Sequence, residues 1–353
     1  MKMNHAVIMA GGIGERFWPL SRKSKPKQVV AIHTDKSMIQ ETVDRLRPVF
    51  GENIFISTGN FLADKVREIM PEINFILEPM AKNTAACIGL SAITLLKKDP
   101  EAIMFLETSD HIYNDVNLYL KHVEYALNAA KRDDRIILIG IKPTHPHTGL
   151  GYIEMGDRIY DEEIKVHRVQ SFREKPDLET AERFMMSGKF LWNSGMFIAK
   201  CSVMIEEIKT HMPKHYESLM KIRDSDFDKK VLEEEFDKLE SISIDYGVME
   251  KSSNTYVLKA EMHWDDIGDL AAYDRFNQKD ENGNVVRGEM VEVDSENNIV
   301  LGKDKLIALV GAKDLIVCET DDVILVADKK KAQDVKTIVK KLTIDKEKRK
   351  YVE

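Results

Sequence analysis

Three clusters of residue types in this chain have the makings of chemistry, and the first is a glycine-rich turn. The apolar run Ala6-Val7-Ile8-Met9 breaks into Gly11-Gly12-Ile13-Gly14-Glu15-Arg16. Glycines after a strand let the backbone approach a ligand closely and aim amide protons at phosphate oxygens. The spacing lacks the terminal Gly-Lys-Ser/Thr of a P-loop and misses the dinucleotide fingerprint, so by itself it fits an anion-binding turn or a plain tight turn. Arg16, Arg22, Lys23, Lys25 and Lys27 then follow in a stretch stiffened by Pro19 and Pro26. An arginine fork and a mobile lysine suit the oxygens of a triphosphate. Arg16 and Lys27 are the strongest candidates and Lys25 comes next. Arg22 and Lys23 fit a solvated surface equally well.

The second cluster is acidic. Ser109-Asp110-His111 follows the apolar run at 102–106, and Asp265-Asp266 lies in the turn His263-Trp264-Asp265-Asp266-Ile267-Gly268. Two carboxylates from distant segments could hold Mg²⁺, with phosphate oxygens and water completing the shell. Each could also cap a turn. His111 and His263 are poorer ligands for a hard cation and read as structural, and the histidine spacing offers no zinc site. The third cluster is Glu174-Lys175-Pro176 with Leu191-Trp192-Asn193-Ser194-Gly195. It offers a lysine for a second phosphate and amide or carboxylate groups for polyol hydroxyls, though periodicity alone establishes neither role. No Ser-His-Asp order or nucleophile elbow surrounds a serine, so covalent hydrolysis has little support.

Positioning these groups needs a layered fold. Strand-like runs at 6–9, 53–58, 75–77, 102–106 and 135–140 alternate with helical spacing at 39–46, 62–70, 84–96 and 118–130. That rhythm predicts an open, mostly parallel sheet covered on both faces, with ligands beyond the carboxyl ends of its strands. The breaks after Met9, Leu77 and Leu106 should therefore face one cleft. Residues 145–200 are turn-rich with a strand at 166–172, which suits an antiparallel addition carrying part of a substrate pocket. Helices are predicted over 202–212 and 227–239 with a charged, solvated stretch between them, and over 270–276. The polar turn Asp280-Glu281-Asn282-Gly283-Asn284 is the best boundary. Apolar runs at 299–301, 306–310, 315–318 and 323–326 then predict a compact β unit, followed by a helix over 332–342. The end of the chain, with Lys346, Lys348, Arg349 and Lys350 among Glu347 and Glu353, reads as a frayed tail.

The chain's 353 residues suggest two domains, and 43% hydrophobic with 32% charged residues suits a soluble, cored protein. A net charge of -8 argues against a nucleic-acid partner while leaving room for a small anion held by local cations. The three cysteines, Cys87, Cys201 and Cys318, are distant and odd in number, which fits reduced thiols in the cytoplasm rather than a disulfide framework. No secretory h-region opens the sequence, and no window approaches the roughly 18 apolar residues of a membrane span.

These pieces together resemble the sugar-nucleotide pyrophosphorylases, and within them the bacterial mannose-1-phosphate guanylyltransferases. The likeness starts with the segment 7–22 and Pro26-Lys27-Gln28, whose Trp18-Pro19 and Ser21-Arg22 features are similar to the mannose branch. It continues through Glu78-Pro79, Asn83-Thr84-Ala85-Ala86, Ser109-Asp110-His111, the segment 148–153, Phe172-Arg173-Glu174-Lys175-Pro176, the segments 192–197 and 244–250, and Trp264-Asp265-Asp266-Ile267-Gly268. Two departures stand out. Glu107-Thr108 replaces what is often a small residue and proline, and Ala31 takes a place often held by an aromatic residue.

The resemblance implies an α/β fold: a Rossmann-like, mostly parallel sheet with antiparallel sugar-binding additions in a catalytic domain over 1–282. A short left-handed β-helix-like domain with a terminal helix would fill 283–353, in a homodimer. It implies that GTP and α-D-mannose 1-phosphate give GDP-mannose and diphosphate. Gly11, Gly12, Gly14, Arg16, Lys25 and Lys27 would take the triphosphate, with Glu78, Asn83, Thr84 and Ser109 around the nucleotide. Gly149, Glu174, Lys175, Asn193 and Asp266 would take the sugar phosphate. Asp110 and Asp266 would bind Mg²⁺, and Arg16, Lys27 and Asp110 would carry catalysis. The competing implications are glucose 1-phosphate with UTP or dTTP, and a non-catalytic nucleotide-sugar-binding subunit.

Overall fold

The structure is a computed structural model that describes residues 4–32, 34–161 and 164–353. Its contacts group into two compact units, one of residues 4–11 with Thr42–Asp265 and one of Gly12–Glu41 with Asp266–Glu353. The grouping differs from a cut after residue 282 in two respects: residues 266–282, with Asp266, go with the C-terminal residues, and so does most of the glycine-rich loop. From Gly12 onward the loop joins the C-terminal residues, while Gly11 stays with the strand that precedes it.

The first unit is built on a nine-stranded sheet. Strands β1 (Asn4–Met9), β2 (Ile54–Gly59), β3 (Asn74–Glu78) and β4 (Ile103–Thr108) are parallel neighbours. The aliphatic runs of β1, β2 and β4 are almost wholly buried, as strands covered on both faces require. The carboxyl ends of β1, β3 and β4 therefore share one edge, as the alternation predicted. After the short β5 (His111–Tyr113), the sheet is extended by β6 (Ile136–Ile141), β7 (Tyr152–Asp161), β8 (Lys165–Arg173), β9 (Phe190–Lys200) and β10 (Thr255–Ala260). β11 (Trp264–Asp266) pairs with β5.

The antiparallel addition is present, but its longest strand is not marginal. β9 inserts between β4 and β6, antiparallel to both. Asn193-Ser194-Gly195 looks like a turn in the sequence because these residue types favour turns. In β9 they form an irregularity instead, with Gly195 at φ 71° and the β6–β9 register shifting between Leu138 and Gly140. This bulge brings Trp192 and Asn193 beside Ile141 and Gly140, at the edge where β1 and β4 end.

Around the sheet pack α1 (Met38–Phe50), α2 (Asn60–Ile69), α3 (Asn83–Lys98), α4 (Val116–Arg132), α5 (Leu178–Ser187), α6 (Cys201–His211), α7 (Pro213–Asp224) and α8 (Lys229–Asp237). The stretch expected to be solvated is α7. Its buried residues His215, Ser218, Leu219 and Ile222 recur at helical spacing under the charged surface. Gly89 of α3 makes room for it, since a Cβ there would lie 2.5 Å from Leu219 Cδ1. Burying Leu219 and Ile222 contributes about 1.5–3 kcal/mol each.

The second unit holds α9 (Tyr273–Phe276), β12 (Val285–Arg287), β13 (Met290–Val293), β14 (Ile299–Leu301), β15 (Ile307–Val310), β16 (Leu315–Glu319), β17 (Ile324–Asp328) and α10 (Val335–Ile344). β12, β14 and β16 stack in parallel, β13 pairs in parallel with β15, and β17 closes the stack antiparallel to β16. Parallel strands joined without helices form a β-helix-like coil. Buried asparagines turn its corners: Asn298 N donates to Asn284 Oδ1 at 2.9 Å, and Leu315 N donates to Asn298 Oδ1 at 2.9 Å. β12 and β13 escape the sequence pattern because Arg287 and Glu292 interrupt their apolar runs.

The end of the chain is not frayed. Arg349–Tyr351 forms a 3₁₀ turn and Val352 is buried. Trp18 Nε1 donates to Tyr351 O at 2.8 Å, Lys23 N to Val352 O at 3.1 Å and Ser24 N to Glu353 O at 2.7 Å. One apolar anchor and three backbone acceptors outweigh the charged composition.

Candidate active site

Within the second unit, Gly12 and Gly14 adopt φ 79° and 78°, a backbone region that side chains with a Cβ rarely enter. A Cβ on Gly14 would sit 2.7 Å from the Lys27 side chain, so this glycine is what lets Lys27 lie across the turn. Ser21 Oγ donates to Gly14 O at 2.6 Å, and Gln28 Nε2 to Gly12 O at 3.1 Å, which fixes the loop's inner shape. Lys27 Nζ reaches Ile267 O at 3.4 Å and lies 5.5 Å from the Phe17 ring centre. A Cβ on Gly268 would be 3.8 Å from Arg16 Nη1. Arg16, Lys27 and the turn bearing Asp266 are thus brought together. Lys25 is exposed and lines a cavity on another side of the loop.

In the first unit, Gly11 follows β1 at the edge where β3 delivers Glu78 and β4 leads into Ser109 and Asp110. Glu78 Oε1 accepts from Ser57 Oγ at 3.1 Å, and burial pushes its pKa up. Asn83 starts α3 at φ 64° and accepts from Thr84 N at 2.8 Å. Thr84 Oγ1 accepts from Ile244 N at 2.9 Å, which ties this turn to the segment carrying Asp245. Ser109 is buried, its carbonyl within 3.5 Å of Thr42 Oγ1, whereas Asp110 is half-buried. Among the described residues no group of three or more His, Cys, Asp or Glu side chains forms a metal cluster.

The departure at Glu107 has a physical reason. Its fully buried carboxylate accepts from Arg45 Nη2 at 2.9 Å, Tyr113 Oη at 3.0 Å and Tyr119 Oη. Burial and Glu107 push both tyrosines well above their ordinary pKa, while Glu107 keeps Arg45 charged against its burial. His111 completes the network, its Nε2 2.9 Å from Thr108 Oγ1 and its ring edge-on to Trp264 at 5.1 Å, so it is structural as the sequence suggested. The turn carrying Asp110 is therefore braced from behind. Arg45→Ala leaves a buried carboxylate without its cation, and a loss of about 3–5 kcal/mol is expected in urea unfolding. An unchanged midpoint would show that the brace contributes nothing.

The polyol cluster is also assembled in the first unit. Glu174 Oε1 pairs with Lys175 Nζ at 2.8 Å, and that contact raises the lysine's pKa. Lys175 itself sits at φ 44°, an unusual backbone state for a side chain with a Cβ, of the kind that gathers at ligand sites. Asn193 Nδ2 donates to Asp245 Oδ1 at 3.0 Å, and Asn193 N to Gly151 O at 2.7 Å. A Cβ on Gly151 would lie 2.4 Å from Glu174 Oε2, so the glycine makes space for that carboxylate. Glu174 Oε2 is buried with no hydrogen-bond partner. Such an acceptor is costly unless something donates to it, and a ligand hydroxyl would. Gly149 is exposed beside this cluster in sequence, its N–H given to His147 Nδ1 at 3.0 Å.

Asp245 and Gly151 carry no signal of their own in the sequence, although both lie in its matching segments. Asp245 opens a π-helical turn, a rare form frequent at functional sites. Burial first, and then the Glu174 carboxylate, push its pKa up to about 6. The folded protein thus takes up this proton more readily than the unfolded chain. The stability it contributes is complete below the ordinary aspartate value and is lost as pH rises through about 6. Removing the charge with Asp245→Asn should therefore help most at higher pH. The variant's unfolding midpoint, relative to the parent's, is expected to rise between about pH 4 and pH 6 and to level off above; a flat difference across that range would contradict the assignment.

Two family models match the chain in order: Nucleotidyl transferase over residues 5–283, and MannoseP isomerase/GMP-like beta-helix domain over 288–342. The mannose-1-phosphate guanylyltransferase of Salmonella montevideo is 35% identical over 352 residues, covering 96% of this chain and 74% of the relative. That of Escherichia coli is 34% identical over 354 residues, covering 97% and 74%. Among solved structures, mannose-1-phosphate geranyltransferase from Thermus thermophilus superposes with a TM-score of 0.89 at 32% identity, covering 97% of this chain and 99% of that one.

Proposed function

The chain belongs to the nucleotidyl transferase family, and from that membership we propose that it transfers GMP from GTP to α-D-mannose 1-phosphate, giving GDP-mannose and diphosphate. The observation that carries this reading is similarity along nearly the whole chain, both regions in order, to enzymes bearing that name. The orphaned Glu174 Oε2, poised beside Asn193 and Asp245, supports a polyhydroxylated partner. A catalytic domain over 1–282 and a smaller β domain over 283–353 fit this reading, supported by the two family regions at 5–283 and 288–342.

An oxygen of the sugar phosphate attacks the α-phosphorus of GTP as the bond from that phosphorus to the β-phosphate oxygen breaks. The attacking phosphate is already ionised, so no strong general base is needed, and no covalent enzyme intermediate forms. Backbone groups of Gly11, Gly12 and Gly14 approach the triphosphate. Arg16 and Lys27 neutralise charge growing on the departing diphosphate, and Lys25 adds to the field. Glu78, Asn83, Thr84 and Ser109 belong to the nucleotide side. Lys175 holds the sugar phosphate while Glu174, Asn193 and Gly149 orient the hydroxyls. Asp110 and Asp266 offer carboxylate oxygens, the donors a hard divalent cation takes, and we assign Mg²⁺ to them, with Asp266 also facing the sugar phosphate. When bound, such an ion polarises phosphoryl oxygens and spreads their charge.

We place the enzyme in the cytoplasm, the compartment that its three free, buried cysteines favour. Among the described residues no helix is long and apolar enough to cross a membrane. We assign a homodimer, supported by the apolar face that β13 and β15 leave open, with Val293 56% and Val310 79% exposed. The catalytic reading is tested by incubating GDP-mannose with labelled diphosphate and Mg²⁺. Label entering GTP supports it, whereas tight GDP-mannose binding without exchange would favour a non-catalytic subunit.

A further inference from the structure

The phosphate loop meets the C-terminal part of its own unit through polar contacts. Arg22 Nη1 donates to Asp322 Oδ2 at 2.8 Å, and its Nη2 reaches Asp322 Oδ1 and, at 3.3 Å, Thr320 Oγ1. Its sequence context suits a solvated surface equally well; in the fold it grips the turn between β16 and β17. Close by along the chain, the N–H groups of Lys23 and Ser24 donate to Val352 O and Glu353 O, while Trp18 Nε1 donates to Tyr351 O. Arg287 Nη1 donates to Ala31 O at 3.2 Å from the loop's far end.

On this side the loop and the coil leave space between them. A cavity of about 600 Å³ lies between Leu20, Lys25 and Ala31 on the loop and Leu301, Gly302 and Thr320 on the coil. The small Ala31 is part of that open wall. The neighbour of the pinned arginine, Ser21, bonds the carbonyl of Gly14, and a Cβ on Gly14 would strike Lys27. A short covalent and hydrogen-bonded path therefore joins the pins to the glycine turn and its lysine.

We propose that Asp322 and the segment 349–353 act as a clamp that holds the phosphate loop in the shape presenting Arg16 and Lys27 to the nucleotide. Asp322 is then a positioning residue for the reaction, placed in the β domain and touching no reacting atom. The clamp rests on the GTP-dependent reading above, because its effect falls on the nucleotide and not on the sugar phosphate.

Asp322→Asn removes the charge and keeps the size, and Trp18→Phe removes a single N–H donor and keeps a ring. In each, KM for GTP is expected to rise about tenfold, with KM for mannose 1-phosphate and the thermal midpoint nearly unchanged. Amide hydrogen exchange at Lys23 and Ser24 should speed up, a readout that needs no turnover. The exchanged pair Arg22→Asp with Asp322→Arg should recover much of the parent KM for GTP. An unaltered KM for GTP in both variants, with faster exchange at Lys23 and Ser24, would overturn the clamp. So would a parallel rise in both KM values with a lowered midpoint, the mark of general destabilisation. If the parent enzyme itself shows no GTP turnover, the functional reading fails first, and the two failures are told apart.

Discussion

Replacing Asp110 with asparagine is expected to lower kcat for GDP-mannose formation by about 100- to 1,000-fold, the loss typical when a group acting on developing phosphoryl charge is removed. The substitution keeps the volume and much of the hydrogen bonding of the side chain while deleting its charge. The surrounding turn should not relax to compensate. Glu107 is locked by Arg45 and two tyrosines behind it, and His111 is bonded to Thr108 and packed on Trp264. The unfolding midpoint should accordingly stay near that of the parent, and KM for GTP should move less than kcat. Full turnover by Asp110→Asn with Mg²⁺ would sink the role given to this carboxylate.

Lys175→Ala is expected to raise KM for mannose 1-phosphate by about 10- to 100-fold, as loss of a charge-assisted contact to phosphate does. The lysine's side chain is 59% exposed, so it is available to an incoming anion, while its pairing with Glu174 keeps it charged. Its removal also leaves Glu174 and Asp245 facing each other without a cation, which should repel the sugar phosphate further. KM for GTP is expected to hold. Lys175→Arg should recover only part of the loss, because a larger planar guanidinium replaces the compact ammonium that Glu174 holds. Equal KM values for mannose 1-phosphate in Lys175→Ala and the parent would remove the residue from the sugar-phosphate side.

The parallel half of the sheet is legible from hydrophobic runs because buried parallel strands write themselves as continuous aliphatic segments. β9 is not, since its bulge at Asn193-Ser194-Gly195 spends turn residues inside a central strand. α7 hides behind charge: its buried stripe His215, Ser218, Leu219 and Ile222 has helical spacing, but the charged residues around it dominate composition. The tail misleads for the opposite reason. Nothing in Arg349-Lys350-Tyr351-Val352-Glu353 announces that its carbonyls are used by Trp18, Lys23 and Ser24, because backbone acceptors carry no side-chain signal.

Candidate site residues are visible where residue type carries the chemistry, as with Arg16, Lys27 and Asp110. They are invisible where partners confer it. Asp245 is one aspartate among many until Asn193 and Glu174 lie beside it, and Gly151 matters only because Glu174 Oε2 occupies the space of its absent side chain. Arg22 is ambiguous for the same reason: only the fold reveals that Asp322, three hundred residues away, is its partner.

Diphosphate release measured for GTP, ATP, UTP and dTTP, each with mannose 1-phosphate and with glucose 1-phosphate in the presence of Mg²⁺, tests the central claim most directly. GTP with mannose 1-phosphate is predicted to give the highest kcat/KM of all these pairs, with GDP-mannose as the second product. Preferred turnover of UTP or dTTP with glucose 1-phosphate, or no release from any pair, would contradict it.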